Sequence, residues 1–306
     1  QAAKDKLDVS DADYVQRNNF LTAVIESCEA VVEYARRYAK LAKEMARKES
    51  NPERKEELEK IANTCMRVPE FPATSFYDAC QSFWFIQLLL QIESSGHSIS
   101  PGRFDQYMYP YYIKDIESGK ITDEEAYDLI TEFFLTCNKD SDLYVGMQQG
   151  DNGQSLVLGG RDEQGNCLFN EVSRMCLKAS YELNLIDPKI NLRCDSNTPL
   201  DVYKLGAELT KRGLGFPQYD NDDVVIPALL EMGYDVADAR NYTVAACWEF
   251  IIPGVALDIP NIGALSYPIV LEKVMFEKLE SSPHFDTFMS YIRDEIFAES
   301  DRIVSS

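Results

Sequence analysis

The sequence predicts an α/β fold with an N-terminal helical region, on three observations. Residues 1-150 are patterned mainly for helices, with apolar positions recurring three and four apart. Residues 151-306 change rhythm, and short apolar runs alternate with helical stretches. Strands separated by helices are joined by right-handed crossovers, which build a parallel sheet or barrel. At 306 residues, 45% of them hydrophobic, the chain can bury the core of one large domain or two ordinary ones. It shows no internal repeat, low-complexity tract or linker.

Each element has its own signal. Ser10 and Asp11 can cap a long helix to about Lys48, with Phe20, Val24, Cys28, Val31, Val32 and Tyr38 near helical spacing. Asn51-Pro52-Glu53 stops it and starts a second helix to about Met66, with proline at the first helical position. Thr74 or Ser75 opens a third, through Phe83, Leu90 and Ile92, which is apolar nearly all round and therefore expected to be buried. Thr122 with Glu125 forms a capping box for a helix ending near Cys137. Strands are expected at Leu156-Val157-Leu158, at Lys189 to Arg193, at Gly215 to Gln218 and at Tyr242 to Ala245. Helices are expected between them, from about Asn170 to Leu183, Pro199 to Arg212 and Asp223 to Met232. Two more close the chain, about Ile262 to Leu279 and Phe285 to Val304.

Composition excludes several functions. The net charge of −21, from 30 Lys+Arg against 51 Asp+Glu, repels phosphate backbones and argues against nucleic-acid binding. The most apolar stretch, Phe83 to Ile92, is too short and too polar to span a bilayer, and a signal peptide is not expected. The eight cysteines are irregularly spaced and form no CxxC pair, which suits unpaired thiols in a reducing cytoplasm rather than disulfides or a zinc site. With His97 and His284 as the two histidines, a His-based metal centre is not expected.

Chemistry concentrates in two places. In Ala245-Ala246-Cys247-Trp248-Glu249-Phe250, a thiol and a carboxylate lie two positions apart after a predicted strand. Residues i and i+2 of an extended strand project to one side. Cys247 and Glu249 would then face one cavity, one as nucleophile or hydrogen-atom shuttle and the other as base. The competing reading is a buried inert cysteine beside a solvated acid. The second place is Ser95-Gly96-His97 through Pro101-Gly102-Arg103-Phe104-Asp105-Gln106-Tyr107, read as an irregular loop that Arg103 and Asp105 brace. His97 is a candidate proton donor or hydrogen-bond partner there. Tyr219 to Asp223 is read as a helix N-cap, and its spacing excludes an EF-hand.

The stretch from Gln91-Ile92-Glu93-Ser94-Ser95-Gly96-His97-Ser98 through Pro101-Gly102-Arg103-Phe104-Asp105-Gln106-Tyr107-Met108-Tyr109-Pro110 resembles the glycyl radical enzymes of the pyruvate formate-lyase-like family. It is closest to their glycerol/propanediol dehydratase and choline trimethylamine-lyase branch. Cys247-Trp248-Glu249, followed by Ile252-Pro253-Gly254, is similar to that branch's Cys-x-Glu loop. The resemblance implies part of a ten-stranded α/β barrel, of which residues 151-306 would form a half-barrel. It implies a glycyl radical as protein-derived cofactor, with no metal in this chain, and Cys247 and Glu249 as catalytic thiol and base. A histidine matching His97 contacts the substrate hydroxyl in the dehydratase branch. The resemblance further implies a small-molecule substrate and a separate radical S-adenosylmethionine activating enzyme. An anaerobic host follows in the same way, and a homodimer is an assembly the family commonly uses.

This chain departs from the family pattern at several points. The Arg-Val-x-Gly-Tyr type loop that carries the radical is not in this sequence, so residues 1-306 read as an internal portion of a larger catalytic domain, inactive alone. Trp248 stands where the branch more often has a small aliphatic residue, and Asn261 stands where glycerol dehydratase has an acid. Both would line the substrate, so the substrate is expected to differ from glycerol or propanediol. Ala246 precedes Cys247, so the paired cysteines of pyruvate formate-lyase itself are missing and formate acetyltransferase activity is not expected. The leading expectation is a lyase or dehydratase. An arylacetate decarboxylase with Trp248 and Phe250 near the thiol, and a catalytically inert fragment, are the alternatives.

Overall fold

A computed structural model describes residues 1–93, 98–139, 153–162, 164–247, 249–256 and 265–305. The chain forms two compact units, Gln1–Leu257 and Asp258–Ser306. The first opens with a single 3-10 turn at Lys4–Lys6 and then α1, Tyr14–Lys48. The buried face of α1 is Ala35, Ala39, Ala42 and Ala46, one every turn, and it packs on α2, Pro52–Arg67, through Leu58, Ala62 and Cys65. This corrects the expected apolar stripe, because Phe20, Val24 and Tyr38 are exposed. Alanines at helical spacing let two backbones approach closely, and larger side chains are left to the outside. Asn51 caps α2, accepting from the Glu53 and Arg54 N–H groups with Pro52 at the first turn.

The third helix, α3, Phe76–Glu93, is also a correction. Ile86, Leu90 and Ile92 are exposed, while Gln87 and Gln91 are buried. Gln87 turns inward because its amide has work there, donating to the Ile99 carbonyl at 2.7 Å and to Gln154 Oε1 at 3.0 Å. The expected irregular loop ends earlier than its residues suggest. A helix, α4, runs Phe104–Glu117 with Pro110 inside it, and buries Phe104, Met108 and Tyr112 at four-residue spacing. The Thr122–Glu125 capping box starts α5, Asp123–Cys137, as expected.

The parallel sheet follows. β1, Ser155–Gly159, pairs with β2, Lys189–Cys194, which pairs with β3, Gln218–Asn221, in the order β1-β2-β3. The crossovers are α6, Glu171–Leu183, and α7, Leu200–Thr210. Strand β3 begins later than Gly215 to Gln218 would place it, because Pro217 has no N–H for the ladder. One sheet face carries Leu156, Leu158, Ile190 and Leu192 into a core with Phe76, Phe104, Ile130, Phe134 and Cys176. The opposite face is largely polar around Val157: register places Ser155 beside Lys189, Asn191 beside Gln218, and Arg193 beside Asp220, with Ser155, Asn191, Arg193 and Asp220 buried.

Beyond β3 come α8, Asp222–Glu231, and α9, Val236–Arg240. They lead to a hairpin of β4, Thr243–Ala245, and β5, Glu249–Ile251, paired antiparallel. The unit Asp258–Ser306 contains α10, Tyr267–Lys278, and α11, Phe285–Ser305, joined by a Lys273–Glu295 ion pair at 2.6 Å. Among the described residues no helix is long and apolar enough to cross a membrane.

Candidate active site

The cysteine and the acid singled out above sit at the tip of the β4–β5 hairpin. Ala245 pairs with Glu249, and Ala246 and Cys247 lie in the connection between the two strands. Cys247 lies in the turn rather than in a strand, which corrects the period-two argument for its alignment with Glu249. The turn itself brings the two together: the Glu249 carboxylate accepts the backbone N–H of Cys247 at 2.8 Å. Glu249 is half-buried and Cys247 is exposed. The thiol is therefore not packed in hydrocarbon, whereas Cys65, Cys137, Cys176 and Cys194 are buried. Burial pushes Cys65 up to about 11 and Cys194 up to about 12, which makes both poor thiolates.

The turn is held from below. Ala246 has φ +54°, a left-handed conformation that costs an L-residue roughly 1–2 kcal/mol. Its N–H donates to Ser100 Oγ at 3.2 Å, and its carbonyl accepts from Ser155 Oγ at 2.6 Å. Ser155 opens β1, and Ser100 lies on the stretch that ends at Gly102, whose N–H and carbonyl bond to Ser155 and Val157 alongside β1. Gly102 has φ +64°, and a Cβ there would lie 3.3 Å from Thr243 Oγ1 on β4.

The entry to the hairpin is fixed by a buried charge cluster that sequence reasoning missed. The Arg193 side chain is 0% exposed and that of Asp222 3%. The guanidinium gives Nε and Nη2 to the two oxygens of Asp222 at 2.9 Å each. Its Nη1 reaches the carbonyls of Arg240 and Tyr242, at 2.9 and 3.1 Å, just before β4. The Tyr242 hydroxyl closes the set on Asp222 Oδ1 at 2.6 Å, with the guanidinium 3.9 Å from the ring. Lys189-x-Asn191-x-Arg193 and Gln218-x-Asp220 carried the signal, since polar residues at period two inside buried strands mark a second, polar face.

Two other carboxylates are perturbed here. Asp105 accepts from the Gly159 N–H and the Ser173 hydroxyl, and burial pushes it up to about 6 against those bonds. Asp105 thus ties α4 to β1, and Arg103 donates to Asn241 at 2.9 Å, the bracing role expected of this pair. Burial, with Arg193 nearby, pulls Arg103 down to about 10. Asp220 is pushed up to about 7, first by burial, with Arg193 opposing and Asp222 adding. Asn221 accepts from the Asp223 N–H, so the expected N-cap forms at the head of α8. Of the other candidate residues, His97, Trp248 and Asn261 lie outside the described residues. No group of three or more metal-ligating side chains occurs among the described residues.

These features sit on a chain whose relatives are known. Residues 1–283 match the pyruvate formate lyase-like family, and the chain belongs to it. Over 99% of its length it is 34% identical to the (2S)-3-sulfopropanediol dehydratase of Klebsiella oxytoca, covering 38% of that protein. A solved structure from work on 1,2-propanediol dehydration in Roseburia inulinivorans superposes with a TM-score of 0.81 at 39% identity, over 99% of this chain and 38% of that one. The glycerol-bound B12-independent glycerol dehydratase of Clostridium butyricum gives a TM-score of 0.79 at 35% identity, over 99% of this chain and 41% of that one. The chain thus spans about two fifths of the length of these relatives.

Proposed function

We propose that the protein carrying this chain is a glycyl radical lyase or dehydratase, which eliminates water or another β leaving group from a small hydroxylated substrate. The observation that carries this reading is the hairpin tip, where an exposed thiol and a carboxylate share one turn, within a chain related to radical dehydratases. The residues present suit a protein-derived radical, since Cys247 is open to contact at the end of a braced turn. A glycyl radical would supply the unpaired electron by taking the thiol hydrogen atom of Cys247, which leaves the sulfur as a thiyl. Cys247 Sγ then takes a hydrogen atom from the carbon bearing the hydroxyl. Glu249 takes the hydroxyl proton, and the resulting ketyl expels the leaving group from the neighbouring carbon, which departs protonated. The carbon radical that remains takes the hydrogen atom back from Cys247, so the sum is a carbonyl product and the released HX. His97, Asn261 and Trp248 are assigned to the substrate.

The same reading places the chain within a ten-stranded barrel, with 1-150 as its mainly helical part and 151-306 as a half-barrel. It assigns the radical to a glycine beyond this chain and its generation to a separate radical S-adenosylmethionine enzyme, with the protein in the cytoplasm as a homodimer. Arylacetate decarboxylation is less well supported. Phe250 follows Glu249 on β5 and so projects to the opposite side, where its ring meets Tyr242 edge-on at 5.5 Å.

The test uses the complete enzyme, activated anaerobically. Cys247→Ser is expected to abolish turnover. Glu249→Gln keeps an acceptor for the Cys247 N–H but loses the base, and is expected to cut kcat by roughly 10²- to 10⁴-fold with the radical signal intact. Turnover retained in Cys247→Ser would refute the mechanism.

A further inference from the structure

We propose that Ser100 and Ser155 are positioning residues that clamp the peptide unit before the reacting thiol and so set the direction in which Cys247 points. This rests on Cys247 being the reacting thiol. Ala246 is one of three non-glycine residues with positive φ among the described residues, and it immediately precedes the sulfur-bearing residue. A side chain with a Cβ does not stay in that conformation unless its surroundings hold it. Two serine hydroxyls do so, one at each end of the residue. Ser100 Oγ takes the Ala246 N–H at 3.2 Å, and Ser155 Oγ donates to the Ala246 carbonyl at 2.6 Å.

The Ser100 hydroxyl is used to its full capacity. It accepts the N–H groups of Ala246 and Ser155, at 3.2 and 3.1 Å, with its two lone pairs. Its single hydrogen faces the carbonyls of Ser98 and Gly153, at 3.2 and 3.1 Å. The two serines are thus bonded to each other as well as to Ala246. Gly153 packs beside the turn, where a Cβ on it would come into ordinary van der Waals contact with the Ala246 Cα at 3.5 Å. Relaxation of Ala246 to a right-handed conformation would break both serine bonds and swing Cys247 to a new direction. The Glu249 bond to the Cys247 N–H completes the bracing on the far side of the turn.

Glycine takes positive φ at no steric cost, so Ala246→Gly should restore what loss of a serine removes. Ser100→Ala, Ser155→Ala, each of these combined with Ala246→Gly, and Ser100→Thr are compared in the complete, anaerobically activated enzyme. The serine-to-alanine enzymes are expected to lose roughly ten- to a hundred-fold in kcat, with KM and the glycyl radical content by electron paramagnetic resonance unchanged. The Ala246→Gly combinations are expected to recover most of that loss. Ser100→Thr keeps the hydroxyl at a half-buried position, folds without a cavity, and is expected to retain turnover. Full kcat in Ser100→Ala and Ser155→Ala overturns the clamp, as does a loss that Ala246→Gly leaves untouched or that Ser100→Thr shares. These results are distinguishable from failure of the thiol reading, which shows instead as turnover in Cys247→Ser.

Discussion

Asp220 is 5% exposed and lies directly beside Arg193 in the sheet, yet Arg193 gives its planar fork to Asp222 instead. One oxygen of Asp220 is buried with no hydrogen-bond partner among the described residues. A carboxylate so placed is easier to bury neutral than charged, and it is pushed up to about 7. The folded state therefore holds this proton more tightly than an unfolded chain, where an aspartate titrates near 3.9. The group's contribution to stability is complete below about pH 4 and is lost as pH rises to about 7. Above pH 7 the penalty for the charged form is constant and as large as about 4 kcal/mol. Asp220→Asn is expected to match the parent near pH 3.5 and to be more stable than it at pH 8, measured by urea unfolding at both values. A difference that does not change with pH would mean that burial does not govern this carboxyl. The sequence placed Asp220 in an acidic run at a helix start, which was correct for its neighbours Asn221 to Asp223. It did not show that Asp220 itself faces inward, because that depends on the register of β3 against β2.

At the scale of elements, the hairpin is oriented by side chains from distant strands. Arg193 on β2 holds the two carbonyls before β4, and Asp222 at the head of α8 holds Arg193. Removing one member of a buried, doubly bonded ion pair strands the other charge, at a cost of about 3–5 kcal/mol. Asp222→Asn is expected to destabilise by an amount in that range. A loss below 1 kcal/mol in equilibrium unfolding would show that Arg193 finds another partner. Capping at α5 offers a smaller, local effect: Thr122→Ala removes the acceptor for the Glu125 N–H and should cost about 1 kcal/mol. Helix starts such as Thr122 and Asn51-Pro52 were legible because cap chemistry is local in sequence. The inward face of α3 was not. Its composition is apolar all round, so period alone names no buried side, and the choice fell to the partners waiting for Gln87. The helix α4 was obscured by the glycines and prolines before and within it, although Phe104, Met108 and Tyr112 carried a four-residue stripe.

For the whole molecule, the eight cysteines divide by burial. Cys28 and Cys247 are exposed, Cys80 and Cys167 are half-buried, and the other four are inside. In the native protein, Cys28 and Cys247 should react fastest with an alkylating reagent, and Cys65, Cys137, Cys176 and Cys194 only after unfolding. Mass spectrometry of peptides after brief labelling checks this. Rapid native labelling of Cys176, which is fully buried in the core beneath β1, would contradict the packing described. That core draws on α3, α4, α5 and α6 and on one face of the sheet, so the aromatic cluster of Phe83, Phe104, Phe133 and Phe134 and the apolar strand face are one continuous body.

The sequence by itself determined the helical first part, the alternation after it, the parallel sense of the sheet and the thiol-carboxylate pair two residues apart. All of these follow from local chemistry and periodicity, which act over a few residues. Only the tertiary structure decided that Cys247 rides a turn rather than a strand. It alone decided that the turn is held left-handed by serines 146 and 91 residues away in the chain, and that a buried arginine anchors its approach. Those contacts join segments that no period connects, and they form because buried hydroxyls, carbonyls and a guanidinium must find partners once water is excluded.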